Sequence, residues 1–434
     1  MTLESILETE NLLAAWQQVA ANNGAPGVDG MKAKELFEHL SEQWESYKQA
    51  LQEGKYRPQA VRRVEIPKPN GGVRKLGIPT VMDRFIQQAI ARKLDEAYDP
   101  TFSESSYGFR RGRSAHQALD KATQYLNSGL KYIVEIDLEK FFDRVNHDRL
   151  MHQLSKRIED KRVLKLIRSY LEAGVLENGI VRRNEEGTPQ GGNLSPVLSN
   201  IVLDELDKEL ESRGHRFVRY ADDISIYCAS QRAAERVLEK VSQWIEKRLK
   251  LKVNREKSGI KRPSNGQLLG FGYYNSPKGI RPRISQKSYE RLKEKIKKLT
   301  CRSWSINMAE RLEKLAQTTI GWANYFAVAD GKNRLQAIDE WMRSRLRMCI
   351  WKQWKKVKTR MASLRKLGVS EEQAYMWANT RKGYWRTAHS PILLTTINES
   401  RLKQRGYVSL IETYTLRRKT LMNRRDTRPV RPVV

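Results

Sequence analysis

The sequence predicts an α+β fold whose last third turns wholly helical, and three observations predict it. Short apolar runs of period two, set off by turn residues, recur between about residues 60 and 275. Helical periods lie between them without regular alternation, so antiparallel hairpins are expected rather than repeated βαβ units. Beyond residue 285 the apolar residues recur only at the three- and four-residue spacing of helices.

The elements follow in chain order. Leu12, Leu13, Trp16 and Val19 keep a helical period, and "NNGAPGVDG" then breaks the first 50 residues into helices around one loop. "RRVEIPKPNGGVRKLGIPT" reads as a hairpin about Asn70-Gly71, the strongest short turn signal. "VMDRFIQQAIARKLDEAY" is helical, and Ser114 with Gln117 forms a capping box that opens the next helix. "YIVEID" is a strand that turns helical after Asp137. "EEGTPQGGNLSPVLSNIVLDELDKEL" is a Gly-rich loop entering a helix, with Ser195 as N-cap and Pro196 at the first helical position. "FVRYADDISIYC" is strand, turn, strand; "AAERVLEKVSQWIEKRLKL" is an amphipathic helix; "LLGFGYYN" is a further strand. "SPKGIRPRIS" has the look of a linker. After it come helices marked by Tyr289 to Leu299, Leu312 to Phe326 and Leu335 to Leu346, then a short helical module with a second capping box at Ser370–Gln373. The basic tail, 421–434, is expected to be disordered.

Composition narrows the function classes. The chain of 434 residues has room for two to four domains, contains no apolar run long enough to span a bilayer, and begins without a signal peptide's basic-then-apolar order. Three scattered cysteines and six histidines form neither a disulfide framework nor a zinc spacing, which fits a reducing cytoplasm. The formal charge of +31 is concentrated: from Arg281 onward 36 Lys/Arg face 12 Asp/Glu. Such an imbalance repels itself and asks for a polyanion, nucleic acid ahead of a membrane surface. Seven of the ten tryptophans lie in the same stretch, expected mostly in the core, with some free to stack on bases.

Against this positive field the chain places Asp222 and Asp223 side by side in a turn. An Asp-Asp turn is common, and Asp137, at the end of "YIVEID", would alone read as a cap. If the two strand ends were neighbours, however, three carboxylates would share one spot, an oxygen cage suited to Mg²⁺. Two ions about 3.5–4 Å apart serve in-line phosphoryl transfer. Other residues fit a nucleotide-joining site. Phe141 and Phe142 follow Asp137, and Phe142 is favoured as a ring packed under the incoming sugar. Lys68 and Arg74 flank the Asn70-Gly71 turn and could meet a triphosphate, although a solvated hairpin tip is the commoner case. Gln190-Gly191-Gly192 would let backbone approach a nascent base pair, or be a plain loop. Arg110, Arg111 and Arg113 could hold template phosphates.

"YADD", "IDLEKFFDRVNHD", "EEGTPQGGNLSPVLSNIVLDELD" and "RRVEIPKPNGGVRKLGIPT", in this order, resemble a group II intron-encoded reverse transcriptase, or maturase. "GAPGVDG" and "SYGFRRGR" resemble its further blocks. The resemblance covers roughly residues 1–420. It implies a right-hand fold: an N-terminal extension (1–55), fingers and palm (56–279), a helical thumb or maturase domain (280–365) and a small DNA-binding domain (366–420). It also implies an RNA-directed DNA polymerase that binds its intron RNA, assists splicing, and copies the RNA at a target DNA from a DNA primer and deoxynucleoside triphosphates. By position, Asp137, Asp222 and Asp223 become ligands of two Mg²⁺ ions, Lys68 and Arg74 triphosphate contacts, Phe142 the sugar gate, Gln190 a neighbour of the nucleotide and Arg62 a template contact. Asn193 and Arg111 stand where many relatives have proline. The chain ends without the His- and Cys-rich nuclease domain of some relatives, as in class C-like members, so second-strand cleavage is not expected of it. Two other readings stay open: an RNA-binding splicing factor with a vestigial polymerase site, and a related reverse transcriptase used in defence or repair.

Overall fold

The computed structural model describes residues 1–67, 71–177, 180–182, 186–187 and 191–426. The chain divides into two compact units, Met1–Pro263 and Ser264–Val434. The first opens with α1 (Leu3–Ile6), α2 (Thr9–Asn22) and α3 (Leu36–Gln52), then the expected hairpin, β1 (Val61–Pro67) and β2 (Val73–Ile78). Helix α4 (Val81–Tyr98) starts at Thr80, whose hydroxyl accepts from the Asp83 N–H at 3.1 Å. Helix α5 (Ala115–Asn127) begins in the predicted capping box: Ser114 Oγ accepts from Gln117 N–H at 3.3 Å, and Gln117 Oε1 from Ser114 N–H at 2.7 Å. There follow β3 (Tyr132–Ile136), α6 (His147–Ser155), α7 (Lys161–Glu172), β4 (Val175–Glu177), β5 (Ile180–Arg182), α8 (Ser195–Ser212), β6 (Arg216–Tyr220), β7 (Asp223–Cys228), α9 (Gln231–Trp244) and β8 (Gly259–Lys261).

Two sheets organise this unit. One is antiparallel throughout in the order β6-β7-β3-β8; the other runs β2-β1-β4-β5, with β1 parallel to β4. Helices α4 and α8 are buried over much of their surface, taking polar Asp83, Arg84, Gln87, Ser199, Asn200 and Asp207 inside along with the apolar residues. Phe85, Ile90, Leu198 and Leu203 share one core with Val134, Ile136, Ile224 and Ile226 of the antiparallel sheet. Each such side chain contributes about 1.5–3 kcal/mol on burial, so the sheet that carries the acidic turn is anchored on the largest core of the molecule. Two local expectations shift. After Asp137 the chain bridges Leu138 to Val253 and makes only a single 3₁₀ turn, Phe141–Asp143, before α6. Ser195 is the first residue of α8, with Leu194 in the cap position, because Pro196 is accommodated anywhere in the unbonded first turn.

The second unit begins with β9 (Gln267–Leu268), β10 (Phe271–Ser276) and β11 (Gly279–Ile284), a small antiparallel sheet. The stretch expected as a linker is therefore the β10–β11 hairpin, with Gly279 at φ 100° where the chain turns back. Pro282 is accommodated because β11 is an edge strand, where a missing N–H is tolerated. The sheet belongs with the helices after it. Leu269 O accepts from Tyr325 Oη at 2.9 Å, Gly270 O from Ser288 Oγ at 2.8 Å, and Asp330 Oδ2 from Tyr274 Oη at 2.7 Å. This moves the unit boundary to 263/264 from the expected 279/280.

The helices are α10 (Gln286–Leu299), α11 (Met308–Phe326), α12 (Lys332–Gln353), α13 (Val357–Lys366), α14 (Glu371–Ala378), α15 (Tyr384–Ala388), α16 (Pro391–Thr396), α17 (Glu399–Gln404) and α18 (Leu410–Asp426). Ser370 caps α14 in position only; its side chain makes no capping bond, so the second box does not form. Helix α18 carries 421–426, part of the expected disordered tail, and 427–434 lie outside the described residues. Among the described residues no helix is long and apolar enough to cross a membrane.

Candidate active site

The acidic cluster follows from strand register. Ile136 of β3 faces Ile224 of β7, so the next residue on each strand, Asp137 and Asp223, stand opposite one another. Asp223 also pairs with Tyr220 across the β6–β7 hairpin, which leaves Ala221 and Asp222 as a two-residue loop. Ala221 takes φ 56°, the left-handed region that primed hairpin turns require at their first central position. Asp137 is pinned through its main chain: its N–H donates to Ser258 Oγ at 2.9 Å, and its carbonyl accepts from Asn254 N–H at 2.8 Å.

A cleft of about 1030 Å³ opens beside this end of the sheet, with Asp137, Asp222, Phe142, Arg63, Arg74 and Lys257 among its lining. Burial raises the Asp222 carboxyl above the ordinary range, with the Asp137 charge adding to it and Arg74 opposing. Asp223 faces solvent as a residue, yet crowding by surrounding protein pushes its carboxyl up to about 6, with repulsion from Asp222, Asp137 and Glu135 adding to it and Lys257 opposing. Lys257 Nζ lies 3.7 Å from Asp137 Oδ2. The donor chemistry, all carboxylate oxygen, fits a hard divalent cation. The gathering is looser than a closed cage: among the described residues, no three His, Cys, Asp or Glu side chains form a group able to hold a metal as they stand.

The other predicted residues sort themselves clearly. Both Phe141 and Phe142 border the cleft, their rings 5.1 Å apart; Phe141 is 2% exposed in the core, whereas Phe142 is half-buried. Arg74 lines the cleft; Lys68 and Gln190 lie outside the described residues. Gly191, at φ 117°, packs so closely on β2 that a Cβ would meet Gly77 O at 2.7 Å. Asn193, in place of a proline, uses its donors on α4: its N–H reaches Gln87 Oε1 at 2.9 Å and its Nδ2 reaches Gln88 Oε1 at 2.8 Å.

Arg110 is a correction. Its side chain is 4% exposed, paired with Asp99 at 2.6 Å and donating to the carbonyls of Asp99, Ser103 and Ser106, so it ties a loop together and offers nothing to a template. Arg111 is exposed, 3.9 Å from Asp95, and Arg113 pairs with Glu104 at 2.5 Å.

Sequence reasoning missed Arg63 and Lys257. Neighbours on a strand point to opposite faces, so the Arg63 that lines the cleft turns Arg62 away from it. That alternation was available in "RRVEIP" and needed only the knowledge of which face is inward. Lys257 had no local signal; it arrives because β8 pairs with β3 and wraps 254–258 around Asp137.

Two family models match the chain. Residues 66–273 match the family described as "Reverse transcriptase (RNA-dependent DNA polymerase)", and 289–368 match "Group II intron, maturase-specific domain". The chain is 32% identical to Protein YkfC of Escherichia coli over 307 residues, 62% of this chain and 81% of that protein. It is 39% identical over 204 residues to the group II intron-encoded protein LtrA of Lactococcus lactis, covering 47% of this chain and 34% of the relative. The chain thus belongs to the reverse transcriptases of group II intron type, RNA-dependent DNA polymerases joined to a maturase-specific domain.

Proposed function

We propose that this chain copies RNA into DNA at the cleft of its first unit and that its basic second unit grips RNA. The observation that supports this most is one juxtaposition: Asp137 and Asp222 line a cleft with Arg63 and Arg74, and Asp223 stands next to Asp222 at the register position opposite Asp137. Asp137, Asp222 and Asp223 would hold divalent cations, two Mg²⁺ ions on this reading, and a cation would offset both the burial that raises Asp223 and the repulsion that adds to it. Bound there, the ions supply Lewis acidity toward a primer 3′-hydroxyl and neutralise leaving pyrophosphate.

The chain's own groups do the rest. Arg74, with Lys68, draws the triphosphate of an incoming deoxynucleotide. Phe142 limits the room beside its sugar, and Gln190 neighbours the base. Arg63 on the cleft face, with Arg62, Arg111 and Arg113, meets template strand. The maturase-type segment supports a second role: binding group II intron RNA, assisting its splicing and carrying it to target DNA, with a thumb over 280–365 and a DNA-binding module over 366–420.

Primer extension on an RNA template with Mg²⁺ tests the cleft. Asp222→Ala or Asp223→Ala is expected to cut synthesis by roughly 10²- to 10³-fold, the scale on which losing one stabiliser of transition-state charge acts, while RNA binding persists. Near-normal synthesis by either variant would end this reading of the site.

A further inference from the structure

Arg219 lies on β6, two residues before Ala221, and neither it nor Asp207 of α8 exposes any of its side chain. A guanidinium has five N–H donors, and all five are engaged. Nε donates to Asp207 Oδ1 at 2.7 Å. Nη2 donates to Asp207 Oδ2 at 2.6 Å and to Ser106 Oγ at 2.7 Å. Nη1 donates to Asn200 Oδ1 and to the carbonyl of Ala221, both at 3.0 Å. A buried ion pair is weak evidence for a gain in stability over an apolar pair, so a fork with a bond into the acidic turn calls for another reason.

The turn itself supplies it. Ala221 is a non-glycine residue at positive φ, a conformation that persists only where its surroundings over-determine it. The surroundings here are specific. Arg219 N–H donates to Ser105 O and Tyr107 N–H to Arg219 O, both at 2.9 Å, so 105–107 run as an extra strand along β6. Gly108 then passes so close beneath the turn that a Cβ would fall 2.2 Å from Ala221 N, and Asn200 Nδ2 holds Gly108 O at 2.9 Å. The two carboxylates that follow Ala221 repel each other and Asp137, and a two-residue loop has little else to hold its direction.

We infer that Arg219 is a positioning residue for the reaction proposed above: by gripping the Ala221 carbonyl from the core, it aims the turn that presents Asp222 and Asp223. The inference rests on that reading of the cleft.

Two variants test it by steady-state primer extension and thermal unfolding. Arg219→Lys keeps a charge against Asp207, but one ammonium cannot span Asp207, Ser106, Asn200 and the carbonyl together. Arg219→Met with Asp207→Leu replaces the pair by apolar groups of similar volume, a change that tends to preserve folding. Both are expected to melt near the parent chain, to keep KM for the nucleotide, to lose roughly 10²-fold in kcat, the scale of an ångström's misplacement, and to need more Mg²⁺ for half-maximal rate. A folded variant with parental kcat and Mg²⁺ midpoint overturns the inference, and loss of folding in both overturns it in favour of a purely structural role. An inactive parent chain would instead reject the reading of the cleft.

Discussion

The two compact units treat their arginines differently. In the first, where charges nearly balance, buried or half-buried guanidiniums meet carboxylates: Arg219 with Asp207, Arg110 with Asp99, Arg149 with Glu205. In the second, 264–434, 37 Lys/Arg share only 12 Asp/Glu. Its inner arginines turn to main-chain carbonyls. Arg311 donates to Leu299 O and Trp304 O, Arg345 to Lys297 O and Thr300 O, and Arg347 to Ile397 O. Several of these carbonyls end α10, where the helix dipole favours a cation. Some of the carbonyl-bonded arginines also pack over rings, Arg360 over Trp351 at 4.7 Å and Arg345 over Trp341 at 5.0 Å. The few acids are used as hubs, Asp339 accepting from Tyr407 Oη at 2.8 Å and Leu410 N–H at 2.6 Å while pairing with Arg343. A strongly basic unit can therefore fold with few matching anions, by placing its inner cations on carbonyls and rings.

The largest effect expected from this contrast is on RNA affinity. If surface cations of the second unit neutralise six to ten phosphates, binding should weaken roughly 10³- to 10⁵-fold between about 50 and 200 mM salt. Exchanging the exposed Lys355, Lys356 and Lys358 for Gln should make the salt slope shallower. A flat salt response would break the comparison at its root.

The next effect separates the two ways of burying arginine. Arg110→Met leaves the Asp99 carboxylate without its partner and should cost about 3 kcal/mol. Arg347→Met keeps the volume and leaves one main-chain carbonyl unbonded, a loss of about 1 kcal/mol. Urea unfolding of the two variants measures the difference, and equal costs would show that partner identity does not matter.

The smallest effect is a pH dependence in the acidic cleft. Asp223 titrates at about 6 rather than 3.8, so the folded chain holds its proton more tightly than the unfolded one. Stability is then fully present below pH 3.8 for this group and is lost as pH rises toward about 6. Thermal unfolding without divalent ions should show that decline in the parent chain and not in Asp223→Asn, and added Mg²⁺ should offset it in the parent chain only. An identical pH profile in the two chains would contradict the crowding described for Asp223.

The hairpins at 61–78 and 216–228 were legible because turn chemistry and period-two patterning agree there. The basic helical third was legible because period and charge both persist over long windows. The β10–β11 hairpin was not, since Pro282 and the small residues around it read as a linker until an edge position excused them. The tryptophans were misjudged in the same way: Trp351 is fully buried, but Trp304 and Trp385 are exposed and the others of that unit half-buried. Residue type alone does not say whether a ring packs inward or is covered by an arginine. Arg110 turned inward and Arg63 took the cleft position instead of Arg62 for a like reason, because charge is visible in a sequence while the direction of a side chain is not.

By itself the sequence determined most of the helices, the two hairpins named above, the basic half, the acidic turn and the family, all of which are written in local period, composition and motif order. Only the tertiary structure decided that Asp137 stands opposite Asp223, that Arg63 rather than Arg62 lines the cleft, and that Arg219 grips the turn from below. Those relations depend on strand register and on which face of each strand is buried, and both are settled by packing between segments far apart in the chain.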